Sequence, residues 1–202
     1  KIISVKSSIK NKHLFQVILE NGDKYIINEQ SILNYNIKEN IYIKEKIFHQ
    51  ALDQSQREQI KNKIILLLSY RSRSKKELKD ILLAKNFKIE NIINVIKKLE
   101  ERGYINDLVF AKMYASHMIK EKYFGRYLVE KKLLSHKIEF SIMDPIITQL
   151  YLEFPANYLI NKILKKKKWT QKNLLKNKLK IINHLKRKGF HWDDIKPLFS
   201  DI

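Results

Sequence analysis

The stretch "AKNFKIENIINVIKKL" (Ala84–Leu99) occurs three times in altered form. Taking Phe87 as the anchor, its counterparts are Ile138 in "SHKIEFSIMDPIITQL" (Ser135–Leu150) and Phe190 in "RKGFHWDDIKPLFSDI" (Arg187–Ile202). Five residues after the anchors stand Ile92, Met143 and Ile195, and eight after stand Val95, Ile146 and Leu198. Nine after stand Ile96, Ile147 and Phe199, and twelve after stand Leu99, Leu150 and Ile202. Offsets of 5, 8, 9 and 12 mark one face of an α-helix, here met three times.

The match extends upstream. Leu78, Val129 and Ile181 precede the anchors by nine residues, and Leu82, Leu133 and Leu185 by five. Asn86, Lys137 and Gly189 come just before the anchors. Gly and Asn suit the left-handed turn that ends a helix, whereas Lys137 predicts a looser or differently built turn. Thirteen residues before the anchors stand Ser74, Gly125 and Asn177, all N-cap residue types. Ser74-Lys75-Lys76-Glu77 reads as a capping box, so "RSRSKKEL" (Arg71–Leu78) starts a helix rather than forming a disordered arginine-serine tail.

An amphipathic segment precedes each pair of helices: Asp53–Tyr70, Leu108–Lys122 and Ala156–Lys167. In the first, Ile60, Ile64, Leu67 and Leu68 form one stripe. Gly103 reads as a helix C-cap, Asp107 as the cap of the next helix, and Pro155 as a first-turn residue. The fold class is therefore mainly α. Three tandem three-helix repeats (51–105, 106–153 and 154–202) are expected to form an elongated, curved body.

Residues 1–50 read differently, as a small β-rich N-terminal segment. Two β-prone runs flank Asn21-Gly22 in "HLFQVILENGDKYIIN", which predicts a hairpin with both central residues at positive φ. A three-stranded sheet over about 1–28, a short helix near Glu29–Tyr35, a turn at "NIKEN" and an extended "IYI" complete the segment.

The chain of 202 residues is 44% hydrophobic, enough for packed cores, with only 4 Gly and 3 Pro. Having no cysteine, it can hold neither a disulfide nor a thiolate metal site, which fits the cytoplasm. The apolar runs are too short to span a membrane. Net charge is +20. Part of that reflects a Lys-, Ile- and Asn-rich composition, but its placement is informative. No Asp or Glu occurs between Phe154 and Trp192, while twelve Lys and Arg lie between Lys162 and Lys188. Such a block points to a polyanion or an acidic protein surface. The candidate contacts are Lys165, Lys166, Lys167, Lys168, Lys172, Lys176, Lys186 and Arg187, followed by Arg71, Arg73, Lys122 and Arg126. Rings in "KEKYFGRY" (Lys120–Tyr127) and "KKKKWTQK" (Lys165–Lys172) either stack on bases or plug the core. No nucleotide-binding, zinc-protease or serine-hydrolase motif is present, and the six histidines are dispersed. The reading is of a non-enzyme without cofactor or metal.

Several of these stretches together resemble the RecX family of bacterial recombination regulators. They are "RSRSKKEL" with "LAKNF", "GYINDLVFAKMYA", "YFGRYLVEKKLLSHKI" and "KRKGFHWDDIKPLF", covering about 50–202. Asn106 and Lys137 depart from the family pattern at a cap and a turn. The resemblance implies a monomeric regulator in recombination and DNA repair. It would bind the RecA recombinase filament on single- or double-stranded DNA and modulate it, inhibiting its ATPase and strand exchange or disturbing filament growth. Two alternatives remain: an autonomous DNA-binding protein of helix-turn-helix type, and a protein-binding helical scaffold.

Overall fold

A computed structural model describes residues 1–8, 11–170 and 174–200, with the side chains of 11 and 12 left aside. Lys172 and Ile202 lie outside the described residues. Three strands, β1 (Ile2–Ser8), β2 (Asn11–Leu19) and β3 (Lys24–Asn28), form an antiparallel meander in the order β1-β2-β3. Among the described residues ten helices follow: α1 (Glu29–Asn34), α2 (Glu45–Tyr70), α3 (Lys75–Leu83), α4 (Ile89–Glu101), α5 (Asp107–Lys120), α6 (Arg126–Ser135), α7 (Phe140–Glu153), α8 (Ala156–Lys166), α9 (Lys178–Arg187) and α10 (Trp192–Ile195). A 3₁₀ turn, Lys196–Phe199, continues α10, because Pro197 cannot donate to a further α-helical bond.

The chain forms two compact units. The first comprises residues 1–71 and 78–104, the second 72–77 and 105–202. In the first, the sheet buries Ile2, Val17 and Ile27 against Ile37, Phe48 and Ala51. The hairpin differs from the expected two-residue form. Only Gly22 takes positive φ (88°), and the Gly22 N–H donates to the Leu19 carbonyl (2.9 Å). This is a three-residue loop, a tight turn followed by glycine in the left-handed region. The expected extended "IYI" is represented by Ile41, whose carbonyl accepts from the Ile2 N–H (2.9 Å).

Helix α2 begins at Glu45, eight residues before the expected start at Asp53, and runs 26 residues. Its first turns bring Phe48 and Ala51 to the sheet, while Ile60 and Ile64 are buried farther along. Lys44 at its N-cap makes no side-chain cap bond, so the true start carries no capping signal. Polar bonds join α2 to the start of α4. Asp53 accepts from Lys88 Nζ (3.0 Å) and Asn91 Nδ2 (3.2 Å), and Gln56 Oε1 accepts from Asn91 Nδ2 (2.8 Å). Burial alone would raise the Asp53 pKa, but these bonds and the Lys88 charge lower it below the usual carboxylate value. A depressed carboxylate contributes stability above its unfolded pKa and loses it as pH falls through the folded one. Asp53→Asn should therefore be less stable than wild type at pH 7, and the gap should close in acid, as read by urea unfolding across pH.

The repeat is clear in the element starts. Helices α3, α6 and α9 begin at 75, 126 and 178, and α4, α7 and α10 at 89, 140 and 192. Leu78, Val129, Ile181, Leu82, Leu133 and Leu185 are all fully buried. The three turns before the anchors share one geometry, with φ of 59° at Asn86, 56° at Lys137 and 88° at Gly189. In each, the anchor N–H donates to a carbonyl five residues back: Phe87 to Leu82 (3.4 Å), Ile138 to Leu133 (3.2 Å) and Phe190 to Leu185 (3.2 Å). The looser turn expected at Lys137 is not found, because the packed anchor imposes the same closure and the residue bears the strain. Lys137→Gly should relieve it and raise stability by about 1 kcal/mol in chemical denaturation.

Candidate nucleic-acid and filament interface

The second unit has one large core, which includes Phe110, Met118, Val129, Leu133, Ile160, Ile181, Leu185 and Phe190. Its helix caps differ from expectation at two places: Pro155 is the N-cap of α8 rather than a first-turn residue, and the cap of α5 is shifted by one. Asn106, not Asp107, caps α5 and accepts from the Leu108 and Val109 N–H groups (2.9 and 3.1 Å). Asp107 instead accepts from the Lys75 N–H (3.0 Å), at the start of α3. Ser74 is fully buried there. It accepts from the Glu77 N–H (3.1 Å), as the capping reading requires, and Ser74 Oγ lies 3.2 Å from His136 Nδ1.

The next repeat builds a similar junction from glycine. The Gly125 N–H donates to the Lys188 carbonyl (2.8 Å). A Cβ on Gly125 would lie 2.3 Å from the carbonyl carbon and oxygen of Gly189. Several further contacts hold the loop around Gly125. Tyr151 Oη donates to the Phe124 carbonyl (2.5 Å), and burial pushes the Tyr151 pKa above its usual value. Lys188 Nζ donates to the Lys122 carbonyl (2.6 Å) and lies 4.7 Å from the Phe124 ring centroid. Thus "YFGRY" and "RKGF", both conspicuous in the sequence, are two sides of one contact.

The basic candidates divide into two groups. Arg126 is held by Glu130 (2.7 Å) and Asp144 (2.7 Å), and Arg73 pairs with Glu77. Both arginines therefore have structural partners. Lys165, Lys166, Lys167, Lys168, Lys176, Lys186, Arg187, Lys122 and Arg71 are exposed. Lys165 and Lys166 occupy the last turn of α8, and Lys186 and Arg187 that of α9, where cations complement the helix dipole. Lys168 itself takes the left-handed turn (φ 56°) that closes α8. Trp169 packs on the core and meets the His184 ring edge-on (5.5 Å), while Tyr123 and Phe124 are also partly buried against that core. Tyr127 is the exposed ring of the "KEKYFGRY" stretch.

Sequence reasoning did not place Lys188 or His184 in a binding site. With Glu121, Lys122, Tyr123, Ile163, Lys166 and Lys167 they line a cleft of about 270 Å³. Burial lowers the Lys188 pKa, reinforced by Lys166, Lys167 and Lys122. Among the described residues no group of three or more His, Asp or Glu side chains could hold a metal ion, and no helix is long and apolar enough to cross a membrane.

The whole describes a tandem helical-repeat protein with an N-terminal sheet and a basic cleft in its second unit. Over 199 residues the chain is 32% identical to Regulatory protein RecX of Streptococcus pneumoniae serotype 19F (strain G54), covering 96% of this chain and 74% of that protein. It is 28% identical over 197 residues to Regulatory protein RecX of Listeria monocytogenes serotype 4b (strain CLIP80459), covering 94% and 71%. The chain belongs to the RecX family. No family model matches it. Two solved structures share the fold. One is a crystal structure of regulatory protein RecX (TM-score 0.64, 20% identity, covering 97% of each chain). The other is RecX from Lactobacillus salivarius (TM-score 0.56, 24% identity, covering 72% of this chain and 96% of that one).

Proposed function

We propose that this chain is a non-enzymatic, cytoplasmic regulator that binds the RecA recombinase filament on DNA and inhibits its ATPase and strand exchange. The observation that carries the reading is the exposed lysine run Lys165–Lys168, joined by Lys176, Lys186 and Arg187 in a stretch without a carboxylate, within a chain of the RecX family. A filament groove presents phosphate and protein together, and repeated helices presenting cations suit it. The proposed body remains three repeats, 51–105, 106–153 and 154–202, on a β-rich segment 1–50, acting as a monomer without cofactor. Lysines on helix ends are the main contacts. Arg71 is a secondary one, and Arg73 and Arg126 act mainly by holding α3 and α6.

Co-sedimentation with recombinase filaments on single-stranded DNA, beside binding to duplex DNA alone, tests this. Capture by filaments well above capture by bare DNA is expected. Tight binding to duplex alone, with filaments ignored, would instead support the autonomous DNA-binding alternative.

A further inference from the structure

We propose that the second unit holds a pocket for one phosphate group, lined by Lys122, Lys166, Lys167, Lys188 and the His184 imidazole. The identification of that phosphate as part of a nucleic-acid backbone rests on the function proposed above; the pocket itself does not.

The lining comes from the ends of three helices. Glu121, Lys122 and Tyr123 follow α5, Lys166 and Lys167 close α8, and His184 and Lys188 close α9. Helix C-termini are electronegative, so lysines there have an ordinary explanation, and the charges must be compared. Each helix end carries roughly half a negative charge. Three such ends and the Glu121 carboxylate fall short of four ammonium groups. Several of the end carbonyls are, moreover, already served by backbone donors. Phe124 N–H donates to Met118 (3.1 Å), Trp169 N–H to Leu164 (3.0 Å) and Phe190 N–H to Leu185 (3.2 Å). Among the described residues none of the four lysines has a carboxylate partner. The cleft is left with excess positive charge.

Two further observations point to a ligand. His184 Nε2 is buried and, among the described residues, has no hydrogen-bond partner. A buried polar atom of this kind costs free energy unless something meets it. Burial, with Lys167, Lys188 and Arg187 nearby, lowers the His184 pKa and favours the neutral ring. Nε2 is shut off from solvent in this geometry, so a phosphate in the cleft would meet the N–H of the neutral ring once the ring turns toward it. Lys188 is also positioned in advance by the Lys122 carbonyl and the Phe124 ring. Burial first, and then the neighbouring lysines, depress Lys188, and a bound phosphate would relieve the lysine repulsion. The polar groups lining the cleft are Glu121, Lys122 and Tyr123 after α5, Lys166 and Lys167 at the end of α8, and His184 and Lys188 at the end of α9.

Histidine-ring ¹⁵N–¹H spectra of the full chain test this, with His184→Gln assigning the His184 signals. Inorganic phosphate is titrated first, then a short oligothymidylate. Saturable movement of the His184 signals with phosphate is expected. Lys167→Gln should weaken it about fivefold, whereas Lys97→Gln on α4 should leave it unchanged. Movement with the oligothymidylate at lower concentration assigns the phosphate to nucleic acid. Movement with inorganic phosphate alone makes the pocket a small-anion site and rejects the nucleic-acid source. His184 signals unmoved by either ligand, or weakened equally in both lysine variants, overturn the pocket. Filament binding with silent His184 signals would leave the regulatory reading standing and remove only the pocket. Responsive signals without filament binding would do the reverse.

Discussion

Gly125→Ala is expected to destabilise the protein by about 3 kcal/mol and to lower its thermal midpoint by roughly 10 °C. Gly125 has an ordinary φ of −75°, so an alanine there meets no backbone strain. The cost is steric. The new methyl would lie 2.3 Å from the Gly189 carbonyl carbon and oxygen, and 2.5 Å from the Phe190 nitrogen. These are backbone atoms of the turn that closes α9 and cannot rotate away. Relief requires moving the start of α6 from the end of α9, which breaks the bond from the Gly125 N–H to the Lys188 carbonyl. Gly103→Ala is the matched control. A Cβ at Gly103 meets nothing within 4 Å, but the residue has a φ of 75°. Its cost should be only the left-handed penalty, about 1–2 kcal/mol. Equal losses in the two variants would remove the close approach as the cause.

Replacing Lys165, Lys166, Lys167 and Lys168 together by Gln should flatten the salt dependence of binding to single-stranded DNA. Each phosphate contact contributes about 0.7 to the slope of log K against log salt on single strands, so four contacts lower it by up to about 3. The folded state should change little, because all four side chains are exposed and each helix-end charge is worth only about 0.3–1 kcal/mol. Circular dichroism would check this. A slope equal to that of wild type would return the lysine run to helix-end complementation and compositional bias. Arg126→Gln should behave differently. It removes the partner of Glu130 and Asp144, so its effect should fall on stability more than on the salt slope.

The repeat was legible because its apolar positions follow the helix period closely enough to align three segments of unlike sequence. Leu78, Val129 and Ile181 share a role that any buried aliphatic fills. Turns were less legible. Lys137 lacks the residue type that its left-handed φ favours, yet the anchor after it closes the same bond as Phe87 and Phe190. The identity of a turn residue sets the strain, while packing of the anchor sets the geometry. The early start of α2 was hidden for a similar reason, since Lys44 offers no cap and the sheet's need for Phe48 and Ala51 supplies the helix with a tertiary purpose.

The site was half legible. The lysine run is visible in one dimension, and so are "YFGRY" and "RKGF". That Gly125 meets Gly189, and that Lys188 reaches back to the Lys122 carbonyl, is a contact between repeats. One signal for it was present. Gly125 stands where the other repeats have Ser74 and Asn177, both side-chain cap types, and a glycine there marks a close backbone approach. His184 carried no such signal, because its significance lies in a burial that only folding creates.

The central claim, regulation of a recombinase filament, is tested most directly by RecA ATP hydrolysis on single-stranded DNA as this protein is titrated in. The account predicts a dose-dependent fall in hydrolysis, weakened in the Lys165–Lys168 variant at the same salt. Hydrolysis unchanged up to protein concentrations that saturate the DNA would contradict it.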